Sequence, residues 1–216
     1  MCTAFTARPA VSRWLITALL TFGVSVLGGS SATLAYGQAG QTTTPNPATL
    51  DSLRVALEKY QDPIVAVHDG YFSTLGCITI PRAGGEGDVP YREGTMGVHF
   101  LNTSTISQAP DPSKPQILIY EPQGDKLRLV AAEWFIPLST GVTERPVLFG
   151  QPFDGPMAGH HPVMPVALSH YDLHVWLFKS NPYGMFSPTN PDVKCGSYAY
   201  TVEEAAPRIV DVPNHR

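Results

Sequence analysis

Between Leu50 and Gln61 the apolar positions Leu53, Val55, Ala56, Leu57 and Tyr60 fall at helical three- and four-residue spacings. Asp51 stands where a helix cap is expected, so this stretch predicts an amphipathic helix. The Asp62-Pro63 pair interrupts it, and IVAVHDGY resumes it as a second segment ending near Gly70. From Cys77 to about Gly196 the period shortens to that of strands. The runs are TMGVHFLN, QILIYEP, KLRLVAAEWFIP and HYDLHVWLF, with turns at RAGGEGD, EPQGDK and PLSTGV. These elements predict an α+β fold. A helical N-terminal segment is expected to pack on an antiparallel β-sheet or open β-barrel.

The start of the chain has a different pattern. Arg8 and Arg13 precede an apolar run from Trp14 to Leu27, and small residues follow, with Ala32, Ala35 and Ala39 as candidate cleavage positions. This is the order of a secretory signal peptide, and the run is short of the about 20 residues a membrane span needs. The expected organisation is a signal peptide over 1–35, a polar lead-in over 36–49, a single domain over 50–196 and a loose surface tail over 197–216. The expected location is secreted or periplasmic, with no membrane association once the signal is removed. Cys2 leaves with the signal. Cys77 and Cys195 remain, and in an exported chain such a pair predicts one disulfide.

Composition narrows the function classes. The 216 residues carry a net charge of −4 and no Lys/Arg cluster, which argues against a nucleic-acid partner. With 21 Pro and 19 Gly, short strands and turns are favoured over a helical bundle. No GxSxG motif supports serine hydrolysis, and the glycines of RAGGEGD open no helix, so they make a turn rather than a phosphate cradle.

The candidate chemistry lies in the strand phases. In HYDLHVWLF, Tyr171, Leu173, Val175 and Leu177 share a core face. His170, Asp172, His174 and Trp176 share the other, which sets two imidazoles about one carboxylate. Glu133 falls in phase with Leu127, Leu129, Ala131 and Phe135 in a strand apolar on both faces, where a carboxylate must be paired, protonated or bound to a cation. His99 lies in TMGVHFLN opposite Met96, Val98 and Phe100. Two His and one carboxylate from separate strands can hold a divalent transition metal (Zn, Fe, Mn or Cu) with positions left open. The predicted ligands are His99, Glu133 and His174, with His170 a competitor. Asp172 and Glu121 are the candidates for assisting proton transfer. His160 and His161 sit in a Pro/Gly loop that could cover the site, whereas His68 and His215 look incidental. The HxDxH spacing is neither the HExxH of zinc proteases nor the HxH of cupin strands.

The block from Leu148 to Cys195, with HYDLHVW, NPYGMF and NPDVKC, resembles an uncharacterised family of exported bacterial proteins. TMGVHFLN, ILIYEP and AAEWFIP are similar to its earlier blocks, and DGYFSTLGC to its opening one. Where that family reads MPVHYDLHVW, this chain reads MPVALSHYDLHVW. The resemblance covers roughly residues 50–195 and implies one exported domain, but no activity. Two functions follow as expectations. One is transition-metal binding, extending to metal-dependent catalysis. The other is a metal-free periplasmic module for a small ligand, its pocket lined by Trp134, Trp176, Phe149 and Phe153.

Overall fold

The computed structural model describes residues 47–84, 91–160, 164–196, 198, 200–203 and 208–210. The expected signal peptide, the lead-in up to residue 46, His161 and His215 lie outside them.

Helix α1 spans Pro47–Leu57 and runs into a 3-10 turn at Glu58–Gln61. It buries Leu50, Leu53, Leu57 and Tyr60 while Val55 stays exposed, so the amphipathic face is real. Its start differs from expectation. Proline is tolerated in a first turn, where its missing N–H costs no hydrogen bond, so Pro47 opens the helix and Asp51 lies inside it. Asp62 caps α2 (Pro63–His68) by accepting from the Ile64 amide at 2.9 Å.

Strands β1 (Phe72–Ile80), β2 (Gly94–Leu101), β3 (Ile117–Gln123) and β4 (Lys126–Pro137) form an antiparallel meander. A two-stranded ribbon follows, β5 (Val147–Leu148) with β6 (Gln151–Pro152). The chain then returns through β7 (Asp154–Met157) to β8 (His170–Val175), which pairs with β4. β9 (Thr201–Glu203) adds in parallel beside β1, giving the order β7-β8-β4-β3-β2-β1-β9 in a curled, half-barrel sheet. The α+β expectation holds, and so does the disulfide: Cys77 and Cys195 are bonded with Cα atoms 5.6 Å apart. No helix among the described residues is long and apolar enough to cross a membrane.

The tail is not loose throughout. Beyond β9, Ala158 and Val210 donate to the carbonyls of Arg208 and Pro156, which ties the last described residues to β7. Both sheet edges would otherwise present unpaired N–H and C=O groups. Three-residue backbone pairings of this kind leave almost no side-chain periodicity to read.

The two faces of the sheet have different partners. α1 and α2 cover one, with Val98, Phe100, Leu118, Leu129, Ala132, Trp134, Ile136, Tyr171, Leu173 and Val175 in that core. Ile117, Ile119, Val130, Ala131 and Phe135 pack on the other side with Trp176, Val193 and the partly buried Met164 and Leu168. Two bulges shift the expected alternation. Ile119 pairs with Ala131 and Tyr120 with Leu129, so Val130 is an extra residue in β4. Glu133 therefore shares its face with Ala131 and Phe135 but not with Leu127 and Leu129, which join the helix-side core. Likewise Ile78 pairs with Gly97 and Thr79 with Thr95, which leaves Met96 extra in β2 and turns it to the His99 side. One inserted residue reverses the face of everything beyond it.

The segment after β8 is held by its own polar groups. The Trp176 indole N–H donates to Ser187 O at 2.6 Å, the Asn190 amide to Ser180 O at 3.0 Å, and the Thr189 hydroxyl to Arg92 O at 3.0 Å. Thr189, Asn190 and Val193 are fully buried. The NPYGMF and NPDVKC blocks are thus a structural clasp over the sheet.

Candidate metal centre

β4 and β8 set the first pair of site residues directly side by side, because Glu133 is in register with His174. His99 comes from β2, two strands from β4, and reaches over β3 from the same face of the curled sheet. The three side chains are buried, and their ligating atoms lie within 4.8 Å of one another. His99 Nε2 stands 3.3 Å and His174 Nε2 3.5 Å from the same oxygen, Glu133 Oε2. Ligand atoms at zinc distances around a tetrahedral centre stand about 3.3–3.6 Å apart, so both separations fit a shared ion. The two imidazole rings are near perpendicular, at 84°.

Proton bookkeeping favours a cation between these atoms. His99 Nδ1 is 3.2 Å from the carbonyl of Gly97. A carbonyl only accepts, so Nδ1 carries the hydrogen, and in the neutral form of the ring Nε2 turns its lone pair toward the carboxylate. Two acceptors then face each other. Glu133 Oε2 and both nitrogens of His174 have no hydrogen-bond partner among the described residues. Buried polar atoms of this kind are costly unless a proton or a metal joins them.

Asp172 lies on the same face, between two histidines. Its Oδ1 is 3.9 Å from His174 Nδ1 and its Oδ2 is 3.6 Å from His170 Nε2. Burial would raise its carboxyl pKa, but the interaction with His170 and the field of His174 outweigh this and hold it below the usual range. Asp172 thus lies on the side of His174 that points away from Glu133, but at 3.9 Å it is beyond hydrogen-bond distance, and neither Asp172 Oδ1 nor His174 Nδ1 has a hydrogen-bond partner among the described residues. His170 is not drawn into the three-residue group. Its Nδ1 is 3.1 Å from the Leu168 carbonyl, and its ring lies 5.3 Å from His160 and 4.8 Å from Phe135. The expected competition between His170 and His174 resolves because Glu133 is in register with His174, whereas Pro137 is in register with His170.

Glu121 is placed differently from the proton-transfer role expected of it. Both carboxylate oxygens meet Lys179 Nζ, at 2.7 and 2.9 Å, and Oε1 also accepts from the Lys194 amide at 3.1 Å. It joins β3 to the clasp and does not line the cavity described below. Glu121→Gln is therefore expected to lower stability by about 1–3 kcal/mol while leaving metal content unchanged. Denaturant melts alongside elemental analysis check this, and loss of metal would return Glu121 to the site.

A cavity of about 250 Å³ adjoins the group. His99, Glu133, His170, Asp172 and His174 line it together with His160, and Ile78, Met96, Leu101, Ile117 and Met164 are among its apolar walls. Trp134, Phe149 and Phe153, expected to line a pocket, lie in the helix-side core, with Trp134 and Phe149 in ring contact at 5.2 Å. Trp176 packs with Phe135 and Val193 instead. The aliphatic walls were missed in the sequence. The alternation of Ile78 and Ile80 hinted at β1, whereas Met96 was hidden by the bulge. His68 is exposed beside Asp69.

The β2 bulge requires glycine. Gly97 has φ +114°, and a Cβ there would stand 2.6 Å from Tyr120 O. The carbonyl of this same residue holds His99. Gly97→Ala should cost more than about 2 kcal/mol and loosen the imidazole, read as a lower melting temperature together with weaker metal retention. Normal stability in that variant would contradict the strain argument.

Neither a scan of protein-family models nor searches of curated proteins and solved structures return a match. The functional reading therefore comes from the site itself. The buried His99, Glu133 and His174 can hold a metal ion.

Proposed function

We propose that this protein, exported from the cell, binds one divalent transition metal through His99, Glu133 and His174 and presents it to a small molecule in the adjoining cavity. One observation carries the reading: buried Glu133 Oε2 faces two imidazole nitrogens at 3.3 and 3.5 Å and has no hydrogen bond among the described residues. Export is supported by the order of charged, apolar and small residues at the N-terminus and by a disulfide of the kind that persists in oxidising compartments. Zn, Fe, Mn and Cu all suit two imidazoles and a carboxylate. A bound metal with open positions supplies Lewis-acid polarisation of a ligand oxygen. The Gly97 carbonyl orients the His99 imidazole, and apolar walls surround the site.

The cavity also favours a second reading, a metal-free ligand-binding module in which a proton joins Glu133 to an imidazole. Elemental analysis of the mature protein, purified without tag or chelator, separates the two. One equivalent of a single transition metal is expected, and His174→Ala should lose it while retaining the fold. Full occupancy in His174→Ala would overturn the assignment. So would a metal-free protein whose melting temperature does not rise with Zn, Mn, Fe or Cu.

A further inference from the structure

The cavity next to the metal centre is divided by chemistry. Its polar wall is the row of imidazoles and carboxylates on β2, β4 and β8. Its other walls include Ile78, Met96, Leu101, Ile117, Phe135 and Leu168. No Lys or Arg is among the described residues that line it. Thr74 also lines it, but its hydroxyl already donates to His99 O at 3.2 Å. The space of about 250 Å³ exceeds the roughly 150 Å³ apolar cavity that accommodates benzene, and suits a molecule of about ten non-hydrogen atoms.

We infer that the ligand is a small organic molecule with an uncharged apolar body and a single oxygen-donor head, the head directed at His99, Glu133 and His174. This rests on the metal reading above for the head and on the cavity walls alone for the body. On the apolar walls a charged body would lie against aliphatic and thioether groups, with no Lys or Arg among the described residues lining the cavity, which costs several kcal/mol. With a divalent ion bound, the carboxylates of Glu133 and Asp172 are balanced, so the polar wall does not demand a cationic ligand. An oxygen head gains the metal contact, and an apolar body gains the burial.

Three probes of similar size test this on the mature protein, metal-loaded and after metal removal, by calorimetry: acetophenone, ethylbenzene and 4-acetyl-1-methylpyridinium. Acetophenone should bind the loaded form at least about tenfold more tightly than the stripped form, as expected for a contact to a charged centre. Ethylbenzene, lacking the oxygen, should bind both forms equally. Placing on the body a charge that cannot itself coordinate a metal, as in 4-acetyl-1-methylpyridinium, should weaken binding to the loaded form at least about tenfold. Leu101→Trp, which fills the cavity, should abolish acetophenone binding and keep the metal, and Leu101→Phe serves if the larger ring prevents folding. Binding of 4-acetyl-1-methylpyridinium to the loaded form as tight as that of acetophenone, or no binding of either neutral compound, overturns the inference about the body. Equal acetophenone affinity in the two forms overturns the contact between head and metal. Absence of metal from the protein as purified, read by elemental analysis, overturns the metal reading independently.

Discussion

Glu133→Gln is expected to move two measurements in opposite directions. Metal affinity should fall by more than about a hundredfold, since even groups that only orient a ligand cost ten- to a hundredfold when removed. The metal-free protein should instead gain about 1–2 kcal/mol. Glu133 Oε2 has no hydrogen-bond partner among the described residues, and His99 Nε2 stands 3.3 Å from it. A glutamine amide removes the buried charge and can donate to that nitrogen. Stability would then have been given up for a binding site, as functional sites commonly require. Denaturant unfolding of both proteins, with and without added metal, reads the two effects separately. If metal-free Glu133→Gln is instead destabilised, the carboxylate is satisfied in the native protein by an imidazolium, and no cation site is needed to explain the group.

Removing the disulfide should have the largest effect on stability. The bond spans 118 residues, and closing a loop of that length restricts the unfolded chain by about 5 kcal/mol in the entropy model, an upper figure. Its native placement adds to this. Cys77 is fully buried in β1, between β2 and β9, and Cys195 ends the clasp held by Trp176, Thr189 and Asn190. Without the bond, the clasp and β9 would lose their common anchor to the sheet. Cys77→Ser/Cys195→Ser, or reduction of the native protein, should lower the melting temperature by about 10 °C or more for a domain of this size. An unchanged melting temperature in reductant would show that the hydrogen bonds of the clasp hold it without the cross-link.

The alternating pattern of HYDLHVWLF was enough to put His170, Asp172 and His174 on one face, because β8 is short and unbulged and both faces are buried. The helix interrupted at Pro63, the disulfide pair and the sheet-rich class were legible for similar local reasons: backbone restriction by proline, cysteine number and strand periodicity. Glu133 stood out as a carboxylate amid apolar neighbours. Its true companions on that face were not readable, since the extra residue Val130 reverses the phase of Leu127 and Leu129. Met96 was misplaced for the same reason. Long-range choices were beyond any local pattern. Strand order brings β8 against β4, which puts His174 rather than His170 beside Glu133 and lets His99 reach both from across β3. Glu121 looked like a site residue at a strand end until the clasp supplied Lys179. Which residue types lie on a strand face is set by neighbours along the chain. Which faces and ligand atoms meet is set by pairing between segments far apart in sequence, where register, bulges and sheet curl decide distances of a few ångströms.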